Sequence, residues 1–180
     1  MNFWKRFFGH LKTVRSHRKT VRKLCFSCGL YWQGITHDLS KYSPVEFWNG
    51  VKYFTGKASP HVGERKALGY SKAWIHHHNK NKHHLPYWMD IDPITNIESP
   101  VPMPKKYFIE MICDRVAASM TYLKDNFTPR APYEYYITHK HENIMHQETA
   151  KELEKVLLNI VDVGVKEGLK NATRTYRRSC

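Results

Sequence analysis

The residues of this chain best equipped for chemistry begin with the dipeptide His37-Asp38. Neutral imidazole beside ionised carboxylate suits Mn, Fe, Co, Ni or Zn better than a purely oxygen-ligated Mg site. On a helix the two side chains would point about 100° apart, and both are long enough to converge on one ion. The pair is not isolated, because the chain holds 12 histidines in 180 residues. Five of them, His76, His77, His78, His83 and His84, fall within nine residues that also carry Lys80 and Lys82. Protonated rings among lysines would repel one another, so metal or phosphate binding explains the cluster better than a solvated helix end does. His77 continues the inward face set by Tyr70 and Trp74, whereas His78 is expected to face solvent.

Two further positions join the set. His10 and His17 are seven residues apart and share one helix face. Both interrupt an otherwise apolar stripe, where a buried imidazole needs a partner for each nitrogen. His17, nearer the middle of the stripe, is the preferred ligand and His10 its rival. Asp114 lies on a face with Tyr107, Met111, Ala117 and Ala118, so its carboxylate is expected to be buried and to need a cation. Glu110, one turn earlier, has the same need. The competing account of Asp114 is a salt bridge to Arg115 or Arg65.

Helices must position these groups. Phe3, Phe7, His10, Val14, His17, Val21, Leu24, Cys28 and Tyr31 recur every three or four residues, which predicts one long amphipathic helix over 3–29. A shorter helix follows over 31–41. Ser43 as cap, Pro44 at the first helical position and Glu46 closing a capping box start another, to about Phe54. Further helices are expected over 64–78, 104–123, 132–138 and 147–165. Pro86, Pro93, Pro100 and Pro102 keep 79–103 irregular apart from a short turn near 84–88. The fold expected is therefore all-α, a bundle of roughly six or seven helices. One domain covers 1–168, and a basic, frayed tail covers 169–180.

Composition narrows the function classes. Lys plus Arg number 29 against 16 Asp plus Glu, a formal net charge of +13. Residues 1–37 contain no acid, and eight bases lie between Lys5 and Lys23. Such a field attracts phosphate esters, nucleic acid or an anionic membrane face. No apolar stretch reaches the roughly 20 residues of a membrane span. Cys25, Cys28, Cys113 and Cys180 are expected to be free thiols in a reducing cytoplasm. Cys25-Phe26-Ser27-Cys28 is a lone C-x-x-C, and a zinc ribbon needs a second such pair. There is no G-x-S-x-G and no glycine-rich phosphate loop.

The order of these motifs resembles the HD-domain superfamily of metal-dependent phosphohydrolases: a first-helix histidine, then His-Asp, then a later histidine, then a distant aspartate. The strings His37-Asp38-Leu39-Ser40-Lys41, Ala73-Trp74-Ile75-His76-His77, Asn81-Lys82-His83-His84 and Glu110-Met111-Ile112-Cys113-Asp114-Arg115 also resemble an uncharacterised bacterial and phage family of HD-like proteins, over about residues 9–160. The resemblance implies a helical site for one or two divalent ions. His17, His37, Asp38 and Asp114 would take the four motif positions, and His77 with His83 or His84 the extra histidines of two-metal members. A divalent ion there would lower the pKa of its water towards ~7. Asp38 would hold the reactive centre, and Lys41, with Lys80, Lys82 or Arg115 as alternatives, would offset the charge of a phosphate ester. His83 or His84 would protonate the leaving oxygen. The partner expected is a phosphorylated small molecule, a nucleotide among the candidates. The basic first helix gives a rival reading, a non-catalytic nucleic-acid-binding protein with a structural metal.

Overall fold

The computed structural model of the chain describes residues 1–177. Cys180 lies outside the described residues, with the last part of the expected basic tail. The fold is all-α, with eight α-helices and one two-stranded ribbon among the described residues. No helix among them is long and apolar enough to cross a membrane.

Helix α1 (Phe3–Ser27) begins where the Asn2 side chain accepts from the Lys5 N–H at 2.9 Å. Its inward stripe buries His10, Val14, Val21 and Cys25. The two ends of the expected stripe, Phe3 and Tyr31, are exposed instead. Helix α2 (Tyr31–Thr36) stops earlier than its expected end at Lys41. His37 ends it, Asp38 takes a left-handed conformation (φ 53°, ψ 28°), and a 3-10 turn covers Leu39–Tyr42. The His-Asp pair therefore sits on a corner and not on a helix. Helix α3 (Pro44–Tyr53) starts as expected, with Ser43 accepting from the Glu46 N–H.

The single helix expected over 64–78 is two, α4 (Pro60–Leu68) and α5 (Lys72–Lys80). Gly69 at φ 79° ends the first, and Ser71 caps the second by accepting from the Trp74 N–H. The buried Glu64 carboxylate fastens the joint by accepting from Lys72 N–H at 3.1 Å and from the Ser71 hydroxyl. Tyr70, read as an inward residue, lies in this break and is exposed. That split raises the count to eight. Residues 85–87 form the expected short turn. A ribbon of β1 (Met89–Ile91) and antiparallel β2 (Glu98–Pro100) follows, in a region expected to be irregular.

Helix α6 (Lys105–Leu123) divides the molecule. Phe108, Ile109, Ile112, Cys113 and Val116 enter the apolar core with Val21, Cys25, Leu153, Leu157 and Ile160. Cys25, Cys28 and Cys113 are free buried thiols. After α7 (Ala131–Thr138) the last helical segment, α8 (Gln147–Arg177), breaks at Gly164 (φ 81°, ψ 165°). The second limb folds back on the first. Asn171 donates to Asn159 across twelve residues, and a Cβ at Gly168 would lie 2.9 Å from the Ile160 Cα. The stretch after Gly168, expected to fray, instead is helical through Arg177 and buries Leu169 and Ala172 in the core.

Candidate metal centre

Polar groups collect on the side of α6 away from that core. Glu110 and Asp114, one turn apart, project there from α6. His17 arrives from α1, His37 and Asp38 from the corner after α2, and Lys41 from the 3-10 turn. Glu46 comes from α3, His76 and His77 from α5, and His83 and His84 from the turn that follows. His37, Asp38, Glu46, His77, His83 and Glu110 are all buried.

The contacts fall into two shells of different length. In the outer one, imidazole Nδ1 atoms meet carboxylates directly. His77 Nδ1 lies 2.7 Å from Glu46 Oε2, and His76 Nδ1 2.7 Å from Glu46 Oε1. His37 and His83 Nδ1 lie 3.0 and 3.2 Å from the same atom, Glu110 Oε1. Proton donation from Nδ1 fixes the tautomer and leaves Nε2 as a lone pair pointing inward. Those Nε2 atoms meet further carboxylate oxygens, but at longer range. Asp38 Oδ2 is 3.6 Å from His37 Nε2, and Asp38 Oδ1 is 3.3 Å from His77 Nε2 and 3.4 Å from His83 Nε2. Asp114 Oδ1 is 3.5 Å from His37 Nε2, whereas His17 Nε2, at 2.9 Å from the same oxygen, is the exception and lies within direct hydrogen-bond reach.

Charge-assisted hydrogen bonds run to about 2.7–2.9 Å, and most of the inner distances exceed that. His37 Nε2, His83 Nε2, His84 Nε2 and Asp38 Oδ1 are buried without a hydrogen-bond partner. Lone pairs aimed at carboxylate oxygens across such gaps are repulsive unless a proton or a metal ion lies between them. Two donors each ~2.1 Å from one ion stand ~3.0–3.4 Å apart, which is close to the spacing seen here. The donors therefore fit a divalent transition ion. Their atoms form two separate sets, His17, His37 and Asp114 in one and Asp38, His77, His83 and His84 in another, and a third of His37, His83 and Glu110 shares a residue with each. Asp38 turns Oδ2 toward His37 and Oδ1 toward His77 and His83, so its carboxylate faces both sets.

The local field has the same sense. Four carboxylates, Asp38, Glu46, Glu110 and Asp114, face one ammonium, Lys41, whose Nζ is 3.4 Å from Asp38 Oδ2. Burial opposes the charge on Asp38, yet His37, Lys41, His77 and His83 hold its carboxyl well below the usual range. Burial likewise opposes Asp114, and His17 and His37 outweigh it. For His37, burial works against protonation, but Asp38, Asp114 and Glu110 raise it well above an ordinary histidine. The site thus demands positive charge where the Nε2 atoms converge. On the far side, burial pushes His84 well down, with His83 and His77 adding to it.

Of the residues expected from sequence, His17, His37, Asp38, Lys41, His77, His83, His84 and Asp114 all stand in this centre. His10 does not. It is buried between α1 and α3 against Phe47 and Phe54, and burial together with Lys41 lowers it to about 4. The proton-donor role expected of His83 or His84 finds no support in the geometry. His83 Nδ1 is committed to Glu110 while its Nε2 faces Asp38 without a hydrogen bond, and burial holds His84 neutral. His78 is half-buried against Trp74 and not fully exposed. Sequence reasoning missed Glu46, taken for a capping residue. Its signal was a carboxylate on the stripe shared with Gly50, the inward face of α3. Ser40 and Asn81 were missed too. Asn81 Nδ2 donates to Ser40 Oγ at 2.8 Å and to the His77 carbonyl at 2.7 Å, tying the 3-10 turn to the end of α5.

No curated protein and no solved structure matches this chain. The family model of DUF5662, described as a family of unknown function, matches residues 6–159. That span holds every residue of the centre, from His17 on α1 to Asp114 on α6, and the chain belongs to the DUF5662 family.

Proposed function

We propose that this protein is a metal-dependent phosphohydrolase of the HD type, acting on a phosphate ester such as a nucleotide. The observation that carries the reading is the convergence of partnerless Nε2 atoms on the two oxygens of Asp38, backed by carboxylates on their Nδ1 atoms. The motif order resembles that of the HD superfamily, which would place the same donors in the same sequence along the chain. His17, His37, Asp38 and Asp114 would hold one ion, and Asp38, His77, His83 and His84 a second. A divalent ion so held supplies Lewis acidity and a water of lowered pKa at neutral pH.

The remaining work falls to the chain itself. Glu110 orients His37 and His83 together, and Glu46 orients His77. Lys41 reaches the edge of the centre with its side chain partly exposed, so its ammonium can meet a phosphoryl oxygen. Burial opposes its charge, but Asp38 and Glu46 raise it above an ordinary lysine, so it stays protonated at neutral pH. Lys41 therefore serves as a fixed charge and not as a proton donor. His17 and Asp114 keep some solvent contact, which puts the open side of the centre between α1 and α6.

The test is release of phosphate or nucleoside from a panel of phosphomonoesters, phosphodiesters and nucleotides, with protein loaded with Mn, Fe, Co, Ni or Zn. Turnover of at least one class is expected, lost in Asp38→Ala and lowered at least tenfold in Lys41→Ala. Absence of turnover on every class, with metal shown to be bound, would contradict the reading.

A further inference from the structure

The outward face and the N-terminal end of α1 play no part in the centre, and their makeup is unusual. Phe3, Trp4 and Phe8 are more than half exposed, at 52, 63 and 60 %. They do not stand apart. Trp4 stacks on Phe8 with centroids 6.0 Å apart, and Phe3 meets Trp4 edge-on at 5.2 Å. Trp48 of α3, 53 % exposed, extends the cap through Phe7, which its ring meets at 6.0 Å. One end of α1 therefore presents a contiguous apolar surface, a feature that marks an interaction site in a folded protein.

Bases continue the same outward face. Lys5, Lys12, Arg15, Lys19, Arg22 and Lys23 are all exposed, and shallow concavities lined by them run along the helix from Asn2 to Phe26. None of the six has an acidic partner among the described residues, and no acid occurs in residues 1–37. By contrast, the two half-buried bases are tied down. Arg6 donates to the Lys52 carbonyl, and Arg18 to the His37 and Ile35 carbonyls. The exposed charges serve no internal structure.

From this juxtaposition we infer that α1 is a docking surface for an anionic lipid bilayer, its aromatic cap entering the headgroup–acyl boundary and its bases resting on lipid phosphates. A helix of 25 residues lying in the interface plane extends about 37 Å along it. Trp and Phe on one part of the surface, with Lys and Arg alongside, are the combination that holds a helix in that plane. A single-stranded nucleic acid would also meet the bases. It would want rings set apart so that a base can enter between them, whereas these rings are packed on one another. The inference is independent of the hydrolase reading.

The experiment is flotation of the full chain with vesicles of phosphatidylcholine alone or with about 30 % phosphatidylglycerol. Binding to the anionic vesicles only is expected, weakened by about 0.5 M NaCl. The pair Trp4→Ala with Phe8→Ala should lower partitioning about tenfold. The triple variant Lys12→Gln, Arg15→Gln and Lys19→Gln should lower it about a hundredfold. Circular dichroism of both variants would match the parent, since none of these side chains is buried. No flotation with anionic vesicles would overturn the inference. So would flotation unmoved by removing the rings, or tight binding of a single-stranded oligonucleotide that needs the bases but not the rings.

Discussion

Glu110 offers one oxygen to two histidines, and that sharing makes it the pivot of the centre. With Oε1 held by His37 and His83, both rings keep Nε2 turned toward Asp38. Removing such an outer partner commonly costs 10–100-fold in metal affinity. Glu110→Ala should therefore weaken metal binding by about that factor, read by competition with a chromophoric chelator. Unchanged affinity would show that the two rings are held by other contacts. His10 gives a contrasting case, a buried imidazole with no role in the centre. Its pKa is about 4 in the fold against an ordinary 6.5, lowered first by burial and then by Lys41. Between those values the unfolded chain takes up a proton that the folded chain refuses. Its contribution to stability is thus whole above pH 6.5 and falls as pH drops toward 4, by up to about 3 kcal/mol. His10→Met should narrow the gap between unfolding midpoints measured at about pH 7.5 and about pH 4.5. At this scale the sequence was informative wherever a polar residue broke an apolar stripe, as with His17 and Asp114. Sequence favours His17 over His10 only for its place nearer the middle of the stripe, because both satisfy the same periodicity. Glu46 went unrecognised because a Ser-Pro-x-Glu start gives a glutamate a sufficient local purpose.

Elements decide where these residues point. The left-handed backbone at Asp38 is uncommon for a residue with a side chain, and it costs of order 1–3 kcal/mol. The extended backbone of His37 (ψ 125°) ends the helical run at Thr36, and the left-handed Asp38 then directs both side chains into one space. No local pattern announces such a corner, since Tyr31–Lys41 reads as continuous helix. The break between α4 and α5 was more accessible, with Gly69 and Ser71 serving as stop and start. Without the fold, the Tyr70, Trp74 and His77 periodicity reads straight through it. The corner in α8 is open to test. Gly164 sits at φ 81° and ψ 165°, a conformation nearly reserved for glycine, so Gly164→Ala should destabilise by about 1–3 kcal/mol. At Gly168 two effects compete. Helix propensity favours alanine by up to ~1 kcal/mol, but the new Cβ would lie 2.9 Å from the Ile160 Cα. Backbone cannot yield as a side chain does, so the clash prevails and Gly168→Ala should also lower the urea midpoint. A midpoint unchanged or raised in both variants would contradict the folded-back second limb.

At the scale of the molecule, an apolar core and a charged centre share α6 as their common wall. The all-α class was legible from periodicity and from the proline and cap positions. The ribbon was not, because its three-residue strands are too short to show alternation. The basic helix α1 serves both halves: its inner face buries Val14 and Val21 and brings His17 to the centre, while its outer face carries the charge. A metal that binds only the folded chain stabilises it by mass action, about 2.7 kcal/mol at a hundredfold excess over its Kd. For a chain of this length that is roughly 5–10 °C in Tm. Stripping with chelator should lower Tm by about that much, and added Mn, Fe, Co, Ni or Zn should restore it, while Asp38→Ala should respond to neither.

The most direct test of the central claim is metal content per chain by elemental analysis, on tag-free protein purified without chelator and again after incubation with each candidate metal. One or two transition ions per wild-type chain are expected, with a clear loss in Asp38→Ala. A wild-type ratio near zero that no added metal raises would mean that the inward-facing Nε2 atoms and Asp38 are not a metal site.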